Sequence, residues 1–343
     1  MPRALALPPA LRGSAFSVRA ATESGVARSR LRAADLQTPF YGTRLDIEHP
    51  TLRQRCAAWQ SVAPPASYVS HSTAARLFGC PLPSTLERSS DLHISVPRPQ
   101  RAPRSRGVRG HAVAHPVAHS ARDPNSRATN SRTTNPETEA AWFDSRGLRM
   151  STAERTWLDL ATQLDFVRLV AAGDYLLRGI RDPDGRRSPF TTIQRLRDAF
   201  ASHPAKRNRR TIAAALEALR ERVDSPKETE LRLLLQDAGF PELIVNEPVR
   251  DEFGVVLACP DRRVRGFNVG IEYKGFVHAT DPATWENDIV RQRRLDSVEW
   301  KTIDVMRSDL RQPHHLMLVL ERELQKRGWT GRCTWPALHY APE

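Results

Sequence analysis

The feature that most constrains the fold is the stretch of residues 260–275, which reads PDRRVRGFNVGIEYKG. In FNVGIEY, Val269, Ile271 and Tyr273 alternate with Gly270 and Glu272, so a strand would turn these three apolar side chains toward a core. Glu272 and Lys274 would then share the opposite face of the strand. If the preceding strand ends near Asp261, the Asp261 carboxylate reaches that same face. The pattern predicts two carboxylates and an ammonium group at one end of a sheet.

These residue types suit the hydrolysis of phosphodiesters. Two carboxylates supply oxygen ligands for a hard cation, and an ammonium group can hold or deprotonate a water beside it. Only five of the 52 Lys and Arg residues are lysine, which makes Lys274 a specific choice. Asp288, Glu299 and Lys301 repeat the spacing, but the sequence around Asp288 predicts a helix. The structural alternative is a surface strand that carries a Glu/Lys pair after a turn.

The order of the elements around this stretch predicts a domain of the pattern α-β-β-β-α-β-α. Ser225 is a predicted N-cap, with Pro226 at the first helical position and Glu228 three residues after the cap. The helix is predicted to end at Gly239. The following elements are the strands LIVNEPV, VVLACPD and FNVGIEY, a helix around residues 283–297, the strand WKTIDVM and a helix from about Pro313 to Arg327.

Residues 224–325 resemble the Vsr-like domain of the restriction-endonuclease-like, PD-(D/E)xK superfamily. The resemblance lies in SPKETELRLLLQDAGFPE, in IEYKG and in WKTIDVMRSDL. It implies that Asp261 and Glu272 hold Mg²⁺ or Mn²⁺, that Lys274 assists the attacking water, and that Glu228 completes the acidic cluster. Relatives commonly carry an acidic residue where this chain has Lys274, and apolar residues where it has Arg262 and Arg263.

Each supporting residue also has a purely structural interpretation. Glu228 can serve only to cap its helix. His278 can act as a general acid or base, or it can be a solvated loop residue. Arg291 and Arg294 can face phosphate, or they can form the solvated face of their helix.

The composition agrees with a nucleic-acid partner. The formal net charge is +13 and the pI is about 10.4, which attracts phosphate over long distances. The first residues contain no apolar run of the length typical of a signal peptide, and no stretch approaches the length of a membrane span. We therefore expect a cytoplasmic protein with DNA as its partner. The four cysteines form no CxxC pair, which predicts buried thiols.

The N-terminal segment FSVRAATESGVARSRLRAADL predicts two short helices broken at Gly25, as in a helix-turn-helix. The second helix would expose Arg28, Arg30 and Arg32 to DNA, and TPFYGTRL would form a wing that ends near Leu45. The alternative is an ordinary helical hairpin whose arginines are solvated.

Residues 5–200 resemble AbiEi-type winged-helix antitoxins and transcriptional regulators, through YVSHSTAARLFGCPLP, DLHISVP, RGVRGHAVAH and the stretch from GLRMSTAERTWLDLA onward. The resemblance implies an N-terminal winged helix that binds operator DNA or a protein that counteracts a toxin partner. Residues 115–145 are poor in aliphatics and are predicted to be a flexible insertion. His111, His115 and His119 recur every four residues, but Pro116 interrupts any helix that could present them together.

The predicted fold class is a multidomain α/β and α+β protein. Its predicted domains are a winged helix-turn-helix in residues 1–48, a central AbiEi-like α+β domain in 49–200, a connecting helix in 201–223 and a Vsr-like endonuclease domain in 224–343. The predicted function is metal-dependent DNA cleavage directed by the N-terminal module. The alternative is an antitoxin-like regulator whose nuclease-like domain is inactive. RNA as the substrate and the oligomeric state are left open by the sequence.

Overall fold

The computed structural model of the protein describes residues 5–114, 141–143, 147–204, 207–245, 247–273 and 290–335. The chain is mixed α/β, with helices and several small sheets, which confirms the coarse prediction of the fold class. It divides into two compact units. Unit 1 comprises residues 1–164 and 191–213, and unit 2 comprises residues 165–190 and 214–343. The finer predicted domain boundaries remain predictions.

The N-terminal part of unit 1 contains one short helix and a two-stranded antiparallel sheet. Strand β1 (Ala15–Ser17) pairs with β2 (Thr43–Leu45), and helix α1 (Val18–Glu23) lies between them in sequence. Ser17 caps α1 by accepting a hydrogen bond from the Ala20 amide at 3.0 Å. The helix ends before Gly25, whose φ of 82° suits the left-handed turn that only glycine adopts without strain. The predicted break at Gly25 is therefore confirmed.

The second predicted helix is wrong in extent. Only Arg30–Arg32 are helical, as a single 3-10 turn. The Arg30 guanidinium points inward, where it donates to both carboxylate oxygens of Asp35 and to the Leu5 carbonyl. Leu31 beside it is buried in a small apolar core. These contacts hold a tight turn in place of a regular helix with an exposed arginine face.

The centre of unit 1 is a six-stranded sheet with the order β5-β6-β4-β3-β8-β7. Strands β4 and β6 are parallel neighbours, while β3 pairs antiparallel with β4 and parallel with β8. The strands are β3 (Tyr68–Val69), β4 (Leu92–Pro97), β5 (Arg104–Ser105), β6 (Val108–Val113), β7 (Ala141–Phe143) and β8 (Arg149–Ser151). The helices of unit 1 are α2 (Leu52–Gln60), α3 (His71–Leu77), α4 (Ser84–Glu87), α5 (Ala153–Leu160) and α7 (Ile193–Ala201).

The predicted flexible insertion of residues 115–145 is wrong at its C-terminal end. Ala141–Phe143 form β7, which pairs with β8 from Ala141↔Ser151 to Phe143↔Arg149. This pairing gives the backbone N–H and C=O groups of β7 hydrogen-bond partners on β8. Residues 115–140 and 144–146 lie outside the described residues, and they include His115 and His119. The predicted connecting helix is also shorter than expected, since α8 covers Arg209–Ala218.

Unit 2 is built around a four-stranded sheet with the order β11-β14-β15-β16. The first three strands are antiparallel and β16 runs parallel to β15. The strands of this sheet are β11 (Leu243–Val245), β14 (Arg262–Val264), β15 (Val269–Tyr273) and β16 (Lys301–Val305). Two separate hairpins are formed by β9 (Ile180–Arg181) with β10 (Arg187–Ser188), and by β12 (Val249–Arg250) with β13 (Val256–Ala258). The helices are α6 (Phe166–Arg178), α9 (Pro226–Asp237), residues 290–296 as α10, α11 (Arg307–Arg311) and α12 (His314–Lys326).

The predicted strand VVLACPD is only partly correct. Its β13 portion pairs with β12, and the strand that pairs with β15 is β14, which begins directly after Asp261. Gly266, with φ of 80°, lies in the short turn between β14 and β15. A tight turn of this kind favours pairing between strands adjacent in sequence, so the RRV segment occupies the place predicted for VVLACPD.

The core of unit 2 confirms the predicted buried face of β15, but the opposite face is not solvated as predicted, because Gly270 and Glu272 are buried too. Val269 and Ile271 are fully buried, and Tyr273 packs against the same apolar cluster. Leu234 and Leu235 of α9 belong to that cluster, as do side chains of α12. Ser225 caps α9 by accepting from the Glu228 amide at 3.3 Å, as predicted. Within the described residues, no helix is long and apolar enough to cross a membrane.

Candidate functional site

Glu272 lies on β15, and Asp261 directly precedes β14, the strand paired with β15. The register of β14 and β15 pairs Arg262 with Ile271, and Asp261 and Glu272 are the residues that flank this pair on the two chains. Asp261 Oδ2 accepts a hydrogen bond from the Tyr273 amide at 2.9 Å, which fixes its carboxylate against the end of β15. Residues opposite each other in an antiparallel pair direct their side chains to the same face. Both residues predicted to hold a cation therefore lie at the C-terminal end of β15, and their role stays a prediction.

A third acidic residue joins them from the other side of β15. Asp304 of β16 is the register partner of Glu272 in the parallel pair, so both side chains emerge on one face. Asp304 is exposed, whereas its neighbours Ile303 and Val305 are buried in the core. Sequence reasoning missed Asp304, although the alternation in WKTIDVM was the signal that could have found it. We call Asp261, Glu272 and Asp304 the acidic row.

Glu272 is buried and is held by an arginine. Its side chain is 9% exposed, and Arg291 of α10 forms an ion pair with it through both guanidinium Nη atoms. A buried carboxylate is costly unless a positive group compensates its charge. Arg291 therefore lies against the acidic row in this structure, whereas Arg294 on the same helix is exposed. Lys274 and His278 lie outside the described residues, so their predicted roles stay predictions.

Glu228 on α9 is engaged by Arg262. The distance from Glu228 Oε2 to Arg262 Nη2 is 3.2 Å, and the arginine side chain is fully buried. Glu228 Oε2 also accepts from the Asp224 amide at 3.3 Å. Burial raises the pKa of Glu228 and the nearby Asp261 raises it further, while Arg262 acts to lower it. These contacts favour a structural role for Glu228 beside the acidic row.

The donors of the acidic row match the ligands that Mg²⁺ and Mn²⁺ prefer. Mg²⁺ commonly uses one or two carboxylates and completes its shell with water and substrate oxygens, so Asp261 and Glu272 are sufficient donors. Arg291 occupies the Glu272 carboxylate here and would have to release it to a cation. Among the described residues, three potential ligand atoms lie within 4.8 Å of one another at a different place, formed by His71, His93 and His111.

This histidine trio lies in unit 1. His71 begins α3, His93 is on β4 and His111 is on β6. The rings are nearly parallel, with centroids 3.7 Å apart for His71 and His111 and 5.1 Å apart for His93 and His111. His93 Nδ1 and His111 Nε2 lie 2.9 Å apart. Burial lowers the pKa of His71 to about 3, and the pKa values of His93 and His111 to about 4.

The sequence singled out His111 but not its partners. The predicted neighbours His115 and His119 lie outside the described residues. Sequence separation hides the true trio, because the β4–β6 pairing and the β3–α3 junction bring the three rings together. The β4–β6 register places His111 opposite Ser95, two residues from His93 and on the same face. The distances between these histidines in sequence carry no periodic signal that could have revealed the cluster.

A basic cavity lies in the N-terminal part of unit 1. Its volume is about 1020 Å³, and five arginines contribute to its lining: Arg19, Arg28, Arg32, Arg44 and Arg104. Arg28 and Arg32 are exposed as predicted. The expectation that Arg30 is exposed is wrong, because its pairing with Asp35 buries it. Tyr41, which is 96% exposed, also lines this cavity, which we call the arginine-lined groove.

Comparison with known proteins gave no relative: no family model, no curated protein and no solved structure matches the chain.

Proposed function

We propose that the protein is a metal-dependent DNA endonuclease whose reaction takes place at the acidic row of unit 2. The observation that carries the proposal is the register pairing of Glu272 with Asp304, together with Asp261, which the Tyr273 amide holds at the end of β15. The acidic row concentrates negative charge at one end of a sheet, in a protein whose net charge is +13. Such a local concentration of carboxylates is expected where a bound cation mediates contact with phosphate.

The topology of unit 2 supports the same proposal. Helix α9, strands β11, β14 and β15, helix α10 and strand β16 follow each other in the order expected from the Vsr-like resemblance, with the β12–β13 hairpin inserted. The parallel β15–β16 pair is the type of pairing that requires a crossover connection. The acidic row lies at the end of β15 where that connection begins. Lys274 directly follows Tyr273, the last residue of β15.

The roles of the side chains follow from their chemistry. Asp261 and Glu272 would hold Mg²⁺ or Mn²⁺, and Asp304 would add negative charge beside them. When bound, the cation supplies Lewis-acid stabilisation of charge on the phosphate and on the leaving oxygen. Lys274 would hold or deprotonate the attacking water. Arg291 carries a planar set of donors suited to phosphate, and it keeps Glu272 neutralised until a cation is present.

The test is cleavage of supercoiled and linear DNA by the untagged protein with Mg²⁺, with Mn²⁺ and with EDTA. We expect cation-dependent nicking or linearisation that Glu272→Gln lowers by at least about 100-fold. The matched control is Glu242→Gln, because Glu242 is an exposed partner of the exposed Arg265. Cleavage by Glu272→Gln at the rate of the control would reject the acidic row as the reaction site.

A second candidate function is favoured by the arginine-lined groove of unit 1. We propose as the alternative an AbiEi-like regulator or antitoxin that binds operator DNA, with unit 2 catalytically inactive. A toxin partner would belong to this alternative. The groove supplies guanidinium donors for phosphate, and Tyr41 offers an exposed ring beside them. Tight, sequence-specific binding without cleavage in any cation, unaffected by Glu272→Gln, would support this function over the nuclease.

A further inference from the structure

We propose that His71, His93 and His111 form a binding site in unit 1 for a divalent transition-metal ion of the Zn²⁺ class, separate from the acidic row. Imidazole nitrogen is the preferred donor for Zn²⁺, Co²⁺, Ni²⁺ and Cu²⁺, whereas Mg²⁺ and Mn²⁺ prefer oxygen. The site therefore differs from the acidic row both in place and in the class of ion it would take. A site with three histidines leaves a coordination position for water or another ligand.

The first argument is the convergence of the ring nitrogens. One ligand atom from each histidine lies within 4.8 Å of the other two. Zn²⁺ bonds to nitrogen are about 2.0–2.1 Å long, which places tetrahedral ligands roughly 3.3 Å apart. His93 Nδ1 and His111 Nε2, at 2.9 Å, already lie near that separation. Because the His71 and His111 rings are stacked, at least one of them has to turn about its side-chain torsions before both lone pairs point at one ion.

The second argument is the set of groups at the outer nitrogens. Ser70 Oγ lies 2.9 Å from His71 Nδ1, and Asp159 Oδ2 lies 3.6 Å from the same nitrogen. Gln163 Nε2 contacts His93 Nε2 at 3.3 Å. These contacts leave His71 Nε2, His93 Nδ1 and His111 Nε2 to face an ion. Metal-binding histidines are commonly oriented in this way, by a carboxylate or another polar group at the second ring nitrogen.

The third argument is Asp159 itself. Its side chain is 5% exposed, and Oδ1 accepts from Arg155 Nε at 2.9 Å. Oδ2 is buried and has no hydrogen-bond partner among the described residues. A buried polar atom of this kind calls for an explanation such as a bound water or ion. With an ion on His71 Nε2, the Nδ1 proton would be donated to Ser70 Oγ at 2.9 Å, and Asp159 Oδ2 at 3.6 Å would supply compensating negative charge.

The fourth argument is the backbone of His71. Its φ of 51° lies in the left-handed region, which costs a residue with a side chain on the order of 1 kcal/mol or more. This conformation turns the His71 ring onto His111 at the start of α3. Strain that aims a side chain into a cluster is typical of functional sites.

The test uses untagged full-length protein that has been stripped with EDTA and then incubated with Zn²⁺. We expect one equivalent of zinc that survives gel filtration, measured by elemental analysis. With Co²⁺ we expect the visible absorption of a four- or five-coordinate nitrogen site. His93→Gln and His111→Gln should each weaken Zn²⁺ binding by about 100-fold or more, and Asp159→Asn by roughly 10–100-fold. Circular dichroism and thermal melting check that each variant folds.

Two controls keep the outcome decisive. His49→Gln changes an exposed histidine of the same unit, and the double variant His115→Gln/His119→Gln changes the histidines closest in sequence to His111. Both should retain one equivalent of zinc. If His93→Gln fails to fold, the half-exposed His111 provides the second variant. No retained zinc on the unmodified chain, or zinc retained by His93→Gln and His111→Gln, would overturn the proposal and leave a hydrogen-bonded histidine stack.

Discussion

Glu228 of α9 and Arg262 of β14 form an ion pair inside unit 2, with 3.2 Å between Glu228 Oε2 and Arg262 Nη2. Arg262 also donates to the Asp261 carbonyl at 2.7 Å. The pair therefore connects the first helix of the proposed nuclease fold to the strand that follows Asp261. Burial lowers the pKa of Arg262, while Glu228 and Asp261 act to raise it.

We predict that Glu228→Gln destabilises unit 2 by about 3–5 kcal/mol, because it leaves the buried Arg262 charge without its partner. The double variant Glu228→Gln/Arg262→Met should recover most of that loss, since both charges are then removed. Urea unfolding followed by circular dichroism measures both free energies. Cleavage activity separates the two roles: activity recovered by the double variant indicates a structural role for Glu228, and activity still absent would indicate contact with the reacting groups.

Asp304→Asn should lower the proposed cation-dependent cleavage by about 10–100-fold, with little change in stability. Asp304 is exposed, so the change does not create a cavity in the core, while the acidic row loses one negative charge beside Glu272. The control is Asp296→Asn, an exposed aspartate on α10 that accepts from Gln292. Titration of Mn²⁺ in the cleavage assay is the measurement. An unchanged dependence on cation concentration would remove Asp304 from the site.

Asp174→Ala should destabilise unit 2 by about 3–5 kcal/mol. Asp174 is 1% exposed and accepts from the Arg220 amide at 2.7 Å, from Thr229 Oγ1 at 2.8 Å and from Arg232 Nη2 at 3.0 Å. Its loss leaves the buried Arg232 charge unpaired between α6 and α9. Asp184→Ala, at an exposed position of the same unit, should stay within about 0.5 kcal/mol of the unmodified protein. Equal midpoints of urea unfolding for the two variants would contradict this account.

The thiols should differ in reactivity. Burial raises the pKa of Cys56 to about 12 and raises that of Cys80 as well, so neither forms thiolate at pH 8. Cys259 is exposed and should react first with a thiol reagent such as DTNB. Cys259→Ser should remove the fast phase, and the two buried thiols should react only in denaturant. Fast labelling of Cys56 or Cys80 in the folded protein, located by mass spectrometry, would show that the core of unit 1 opens.

Arg28→Gln and Arg32→Gln should each reduce the salt dependence of DNA binding. Each lost phosphate contact lowers the slope of log K against log salt by about 0.9. Arg30→Gln should behave differently: it removes the bidentate pair with Asp35 and destabilises unit 1 by roughly 1–3 kcal/mol. Fluorescence anisotropy at several salt concentrations, beside thermal melting, measures both effects. An equal change of slope for all three variants would contradict the burial of Arg30.

Local features of the sequence predicted several elements correctly. The Ser225 cap and the leucines that follow it predict α9, and the alternation in FNVGIEY predicts both β15 and its buried face. Gly25 marks the end of α1. Each of these features depends on hydrogen bonds or periodicity within about ten residues of chain, where side-chain identity determines the backbone conformation directly.

Other features were beyond the reach of the sequence because they depend on which distant segments pair. Arg30 resembles any exposed arginine in a short helix until the chain folds Asp35 and Leu5 against it. In the structure β15 pairs with the RRV segment and not with the predicted VVLACPD, because a tight turn around Gly266 makes the nearer pairing possible.

The sequence by itself determined the mixed α/β class, the caps and breaks of its helices, and the two carboxylates of the proposed nuclease site. Only the tertiary structure decided that Asp304 is the register partner of Glu272, and that His71, His93 and His111 meet in one cluster. The physical reason is the separation along the chain between the residues that interact. Caps and strand alternation arise from interactions between residues close along the chain, whereas strand register and helix packing are decided by burial of apolar surface contributed by the whole unit.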